Sequence, residues 1–212
     1  MTDLTFYTHP MSRGRIIRWM LEEVGQPYDT KILGFEDSIK SPEFLSVNPM
    51  GKVPAIKHGG TVVTECGAIC AYLADAFPEA GLAPAHGSKD RGPYYRWLFF
   101  GAGPIEQAVG LKALGVEIPH ERERMLGCGS MDHVLDAIEG ALDGRDHVAG
   151  DSFTAADLYL ASHLGWGMQF GTIEKRPNFE RYVALHDSRP ASKRAVEIDD
   201  ALIAKMQPQP AG

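Results

Sequence analysis

Apolar periodicity in this chain switches repeatedly between alternation and helical spacing over the first 80 residues, and after that it does not switch again. Leu4-Thr5-Phe6-Tyr7 is a short β-rich run that stops at His9-Pro10. Ser12 then precedes Ile16, Ile17, Met20, Leu21 and Val24 at helical spacing, and Gly25 followed by Pro27 stops that helix. Tyr28 to Leu33 reads as a second strand, so the chain opens with a βαβ unit whose crossover should be right-handed. After a loop, Ser41-Pro42-Glu43 opens a short helix carrying Phe44, Leu45 and Val47, and Asn48-Pro49-Met50-Gly51 is a turn. Val53-Pro54-Ala55-Ile56 is a strand, His58-Gly59-Gly60 a hairpin turn and Thr61-Val62-Val63 the antiparallel partner. Glu65 starts a helix with Ile69, Tyr72, Leu73 and Phe77 on one side.

The order βαβ then αββα within about 80 residues is that of a thioredoxin-like domain. From Pro78 to Ser88 the rise in Pro, Gly and Ala reads as a linker, and everything beyond is helical by period. Met131, Val134, Leu135, Ile138 and Leu142 form one apolar face that stops near Gly144. Thr154 to about Phe170 is the most apolar helix, and Phe179, Tyr182 and Val183 mark another. Gly101-Ala-Gly103-Pro104 is expected to break or kink the helix that begins near Asp90, and the tail from Gln207 is expected to fray. The fold class is therefore α/β plus all-α: a thioredoxin-like domain over 1–80, a linker over 81–88 and a helical bundle over 89–212.

Composition narrows the function. Hydrophobic residues at 44% and charged residues at 23% exclude a disordered or fibrous chain. The net charge is −7, and residues 1–80 hold seven Lys/Arg against ten Asp/Glu. Beyond Arg13, Arg15 and Arg18 no basic stripe exists, so nucleic acid and anionic membrane are poor partners, while a small anion near those arginines fits. No signal-peptide pattern and no run of 18 apolar residues is visible, which reads as a cytoplasmic protein. Cys66 and Cys70 lack a further Cys/His set at ligand spacing, so no metal is expected.

Two short elements carry chemistry. Proline inside a sheet sits at an edge or a strand start, and a cis Val53-Pro54 bond would turn the Val53 backbone outward to pair with an extended peptide. An ordinary trans proline closing the Asn48–Lys52 turn is the plainer alternative. Glu65-Cys66 opens a helix whose free N–H groups favour a carboxylate, with Glu65 available for an amino group; helix capping is the plainer alternative here. Thr154-x-x-Asp157 looks like a hydroxyl–acid pair but reads as reciprocal capping of a buried helix.

Taken together, Asn48-Pro-Met-Gly-Lys-Val-Pro-Ala-Ile56 and Thr64-Glu-Cys-Gly-Ala-Ile69 resemble the glutathione-binding half of cytosolic glutathione transferases, of a bacterial and serine-type kind. Asp151-Ser-Phe-Thr154-Ala-Ala-Asp157-Leu resembles that family's capping box and hydrophobic staple, and Arg189-Pro190-Ala191 its C-terminal signature. The resemblance implies a detoxifying transferase and a homodimer, with glutathione as co-substrate. Val53 would pair with the cysteinyl backbone, and Pro54 would be cis. Glu65 and Cys66 would hold the γ-glutamyl group, and Lys52 or Lys40 would meet the glycyl carboxylate. Cys66 departs from the family's usual Ser, and a thiol is a weaker donor.

Such an enzyme needs only to favour a thiolate. A free thiol titrates near pH 8.5, and a two-unit shift corresponds to about 2.7 kcal/mol. Ser12, followed by Arg13, resembles the serine-type donor and Tyr7 the tyrosine-type donor; Ser12 is preferred because Arg13 and Arg15 add positive charge. Met11, Tyr94, Trp97, Leu98, Trp166 and Phe170 are the candidates for lining an electrophile site between the two halves, with core packing as the plainer role. Tyr94 and Tyr95 point different ways on a helix, so at most one of them can serve. Rival readings on the same scaffold are other glutathione-dependent reactions (peroxide or disulfide reduction, isomerisation, dehalogenation) and a non-catalytic ligand-binding or interaction protein.

Overall fold

The computed structural model describes residues 3–206, so the Gln207 tail lies outside the described residues. The strands are β1 (Leu4–Thr8), β2 (Asp29–Ile32), β3 (Ala55–His58) and β4 (Thr61–Thr64). The helices are α1 (Gly14–Val24), α2 (Pro42–Leu45), α3 (Cys66–Ala76), α4 (Arg91–Phe100), α5 (Glu106–Ala113), α6 (Met131–Leu142), α7 (Ala155–Phe170), α8 (Pro177–Asp187) and α9 (Pro190–Met206). Two compact units result: residues up to Ala80 together with those from Arg189 on, and Gly81–Ser188.

The first unit is a four-stranded sheet in the order β2-β1-β3-β4, the thioredoxin-like arrangement. β1 pairs parallel with β2 and antiparallel with β3, which pairs antiparallel with β4. β1 is central, and Leu4, Phe6, Tyr7 and Thr8 are all buried, as a strand covered on both faces requires. α1 buries Ile16, Ile17, Met20, Leu21 and Val24, and ends where Gly25 takes φ 71° and donates its N–H to Leu21 O at 3.0 Å. Only glycine adopts that conformation without a Cβ penalty. Ser41 caps α2 by accepting the Phe44 N–H at 3.2 Å.

α9 belongs to this first unit. It is helical, as expected for residues 89–212, but it packs on α1. Ala191, Ala195 and Asp199 form a buried stripe at four-residue spacing that lets the two helices approach closely. Four ion pairs run along the contact: Arg15–Asp200 at 2.8 Å, Arg18–Asp199 at 3.1 Å, Arg194–Glu22, and Arg189–Glu23 at 2.6 Å. Arg18 and Asp199 are almost fully buried, and Arg18 also donates to the Tyr28 hydroxyl and Thr30 Oγ1. Burial raises the Asp199 carboxyl above its ordinary value, with Arg18 pulling the other way. Burial and the Glu22 carboxylate push the Tyr28 phenol up to about 12.

In the second unit the Gly101–Ile105 stretch neither breaks nor ends the helix. It forms a π-helical turn between α4 and α5, a wider turn that accommodates the N–H missing at Pro104. Glycine is needed at 101 because a Cβ there would lie 2.8 Å from the Tyr159 ring of α7. The reciprocal cap on α7 is present: Asp157 accepts from Thr154 N at 2.8 Å and Thr154 Oγ1 at 2.9 Å. Its other oxygen accepts from Val148 N at 2.8 Å and the Tyr182 hydroxyl at 2.7 Å. The Thr154–Asp157 pair is thus a structural device, as its spacing suggested.

Candidate functional site

Strand register brings three segments to one end of the sheet. Tyr7 lies opposite Ala55, and Ala55 opposite Thr64. The next residues outward are therefore Thr8 leading into the Ser12 loop, Pro54, and Glu65. The Val53-Pro54 bond is cis. The Cys66 thiol donates to the Arg13 carbonyl at 3.8 Å, which ties the start of α3 to the start of α1.

The Ser12 loop is held by hydrogen bonds within 9–15. Ser12 Oγ donates to the His9 carbonyl at 2.7 Å and accepts the Gly14 N–H at 2.9 Å. Arg13, not Ser12, is the N-cap residue of α1, so the serine stands one position before the cap. His9 is nearly fully buried, stacks on Phe35 at 4.0 Å between ring centroids, and accepts the Met11 N–H on Nδ1 at 3.1 Å. Burial lowers its pKa below 6.5, so the ring is neutral at neutral pH. Gly14 has no room for a side chain, because a Cβ would overlap Thr8 Oγ1.

Tyr7, the other candidate donor, is built into a cluster with Ile39, Phe44 and Ala55, its ring 5.6 Å from that of Phe44. Its position is that of an inward-facing strand residue. Of the two arginines expected to assist Ser12, Arg15 pairs with Asp200 at 2.8 Å and Arg13 has an exposed side chain; Arg18, further along α1, pairs with Asp199 in the core. The charge of Arg15 is thus compensated by a carboxylate of α9.

Glu65 behaves differently from a capping residue. It is the N-cap position of α3, yet its side chain makes no capping bond, and it is the one non-glycine residue at positive φ (68°) among those described. Such a backbone costs about 1–3 kcal/mol and persists where the surroundings over-determine it. The capping role available from sequence is therefore not the one observed. The exposed carboxylate and the first-turn N–H groups of an eleven-residue helix stand together at the Ser12 end of the sheet. Cys66 is buried, and burial pushes the neighbouring Cys70 thiol well up, with Cys66 adding to the shift.

Lys40 donates to the Met50 carbonyl at 3.0 Å and the Gly51 carbonyl at 3.2 Å, so it secures the turn before Lys52, whose side chain is exposed. Asn48 braces the same turn from both sides, donating to Lys52 O at 2.8 Å and accepting the Met50 N–H at 3.1 Å. Val53 packs half-buried against the Tyr7 cluster. His9, Gly14 and Asn48 position the site, yet the sequence marks His9 only as a strand stop and Asn48 only as part of a turn, and it does not single out Gly14; the one signal is their clustering around Ser12 and Val53.

The apolar candidates separate by exposure. Met11 is 62% exposed on the Ser12 loop and Phe170 is 73% exposed at the end of α7, while Trp166 is half-buried. Tyr94, Trp97 and Leu98 are core residues of α4, each at most 3% exposed; Tyr95, their outward neighbour, is 41% exposed. A separate cavity of about 350 Å³ lies among Leu111, Val116, Ile118 and Cys128, and none of the candidate residues lines it. His147, Asp157 and His186 place donor atoms within 4.8 Å of one another. The four hydrogen bonds already accepted by Asp157 commit that carboxylate to the α7 cap rather than to a cation.

Residues 2–75 match the family description "Glutathione S-transferase, N-terminal domain", and residues 121–190 match "Glutathione S-transferase, C-terminal domain". Glutathione S-transferase A of Pleuronectes platessa is 30% identical over 185 residues, covering 82% of each chain. A crystal structure of a glutathione transferase from Methylococcus capsulatus is 29% identical with a TM-score of 0.78, covering 93% of this chain and 99% of that one. A sphingomonad glutathione S-transferase complexed with glutathione is 31% identical with a TM-score of 0.76, covering 92% and 98%. On sequence and fold together, the chain belongs to the glutathione S-transferase family and is a glutathione S-transferase-like enzyme.

Proposed function

We propose that the protein binds glutathione where Ser12, Val53-Pro54 and Glu65-Cys66 meet, and transfers its thiolate to electrophilic, largely apolar small molecules. The observation that carries this reading is Glu65: a residue with a strained backbone and an exposed carboxylate that makes no capping bond to its own helix, at the same end of the sheet as the β1–α1 loop. Glu65 takes the γ-glutamyl amino group, and the first turn of α3, with Cys66, takes its carboxylate. The Val53 backbone pairs with the cysteinyl residue. Lys52 meets the glycyl carboxylate, since two N–H groups of Lys40 are already given to the turn.

Ser12 is the proposed donor to sulfur. Its proton rests on the His9 carbonyl in this structure, so donation requires the O–H to rotate while Gly14 N–H keeps the oxygen in place. Releasing a neutral hydrogen bond costs about 1 kcal/mol, and a bond to an anion contributes about 1.5–3 kcal/mol. The exchange favours the thiolate and gives a neutral thiol no advantage. Its net of about 0.5–2 kcal/mol, with about 0.3–1 kcal/mol from the α1 N-terminus, spans the two-unit shift at its upper end. The thiol proton leaves to solvent, the sulfur lone pair forms the S–C bond, and the electrophile either expels its leaving group or is protonated. Met11, exposed on the same loop, is the proposed apolar contact for the electrophile. A cytoplasmic homodimer is part of the same reading.

The test is calorimetric titration with glutathione followed by conjugation of a generic aryl electrophile. Binding in the micromolar to millimolar range with turnover above the solution rate is expected. Absence of glutathione binding would overturn the reading, and binding without turnover would leave a ligand-binding protein.

A further inference from the structure

We propose that Asp200 is a positioning residue for the Ser12 loop, acting through Arg15, so that the C-terminal helix helps set how strongly a bound thiolate is held. The inference rests on the reading of Ser12 as the donor to glutathione sulfur. Asp200 accepts from Arg15 Nη2 at 2.8 Å, and the other terminal nitrogen, Nη1, donates to the Pro10 carbonyl at 3.4 Å. A guanidinium is planar, so fixing one arm of the fork aims the other. Pro10 follows His9, whose carbonyl takes the Ser12 proton, and Arg15 follows Gly14, whose N–H holds the Ser12 oxygen. One side chain thus ties α9, the first turn of α1 and the loop between them.

The plainer explanation is that this pair merely fastens α9 to α1. The other three pairs already do that, and among the described residues Arg15–Asp200 is the one pair of the four with an arm on the loop. The pair is also half open to solvent, with side-chain exposures of 22% and 60%, where an ion pair contributes little to stability. What it does supply is orientation. The Ser12 proton must exchange between two acceptors while the oxygen stays fixed, and a loop free to drift loses the donor geometry that the exchange needs.

The experiment titrates the thiol of bound glutathione by its ultraviolet thiolate absorbance in wild type, Asp200→Asn, Asp200→Ala, Arg194→Ala and Ser12→Ala. Asp200→Asn removes the same charge as Asp200→Ala but keeps an oxygen that accepts from Nη2, so the two differ in aim alone. The apparent pKa in Asp200→Ala is expected about 0.5 unit above that in Asp200→Asn, about a threefold loss of thiolate at pH below both. Arg194→Ala, which breaks a different α1–α9 pair, is expected to match wild type. Coincidence of the two Asp200 variants, or an equal shift in Arg194→Ala, would overturn the proposal. If Ser12→Ala leaves the titration unmoved, the donor reading itself fails; if Ser12→Ala moves it and Asp200→Ala does not, only the positioning role is lost.

Discussion

The Ser12 hydroxyl donates to the His9 carbonyl at 2.7 Å, so the residue proposed to hold a thiolate already has its single proton engaged. The bond is local, between residues three apart, and both of its partners lie outside β1 and α1. That makes Ser12 a donor whose availability depends on the charge of its partner, because only an anion outcompetes a backbone carbonyl by a useful margin.

Ser12→Ala should therefore lower conjugation about 2- to 30-fold at pH below the bound-thiol pKa, with the deficit closing as pH rises. Tyr7→Phe should stay within about threefold, because the Tyr7 ring is part of the Ile39–Phe44–Ala55 cluster. A pH–rate profile with one aryl electrophile measures both, and a larger loss in Tyr7→Phe would reverse the assignment.

His9 makes the loop acid-sensitive. Its folded pKa is depressed below 6.5 by burial, so the unfolded chain binds the proton more readily. Stability then rises with pH across the interval from the folded value to 6.5, and is lost as pH falls through that interval. Thermal melts at about pH 7.5 and 5 should show a larger drop for wild type than for His9→Asn, which keeps an acceptor for Met11 N–H but does not titrate. Equal drops would show that His9 does not control the acid response.

Cys66→Ser tests the departure from the family pattern. A hydroxyl is a stronger donor than a thiol, and the site is small and close to the Arg13 carbonyl. Glutathione should bind about 2- to 10-fold more tightly in the variant, read by calorimetry. Weaker binding would mean that the thiol itself is used.

Asp157→Ala should cost about 3–5 kcal/mol in denaturant unfolding, since four donors lose their acceptor in a buried place. A loss below about 1 kcal/mol would remove the structural reading of the Thr154–Asp157 pair.

Much of this was legible from residue type. The His58-Gly59-Gly60 hairpin turn puts Pro54 and Glu65 at the same end of the sheet, Gly25 marks the end of α1, and Thr154-x-x-Asp157 announces its own cap. The thioredoxin-like fold follows from the order of such signals, whereas the family and enzyme class are implied by the resemblance of the Asn48–Ile56 and Thr64–Ile69 motifs. Other features have no local signature. The positive φ of Glu65 is imposed by the strand–helix junction, not by glutamate. Gly-Ala-Gly-Pro is composed like a helix stop, yet it stays helical as a π turn whose Gly101 sits against the Tyr159 ring of α7, a neighbour distant in sequence. The partner of α9 is specified by charges more than 160 residues away in sequence, such as Arg189 with Glu23, and no window along the chain contains both. The commitment of the Ser12 proton is a matter of tenths of an ångström.

The placement of α9 on α1 also bears on how the chain is made. Residues 81–188 are inserted, in topological terms, between the sheet-bearing part of the first unit and the helix that completes it. On the ribosome the first unit emerges early but stays without its last helix, and Arg18 without its buried carboxylate partner, until the whole second unit has been synthesised. The order of synthesis is thus not the order of completion: the unit begun first is finished last.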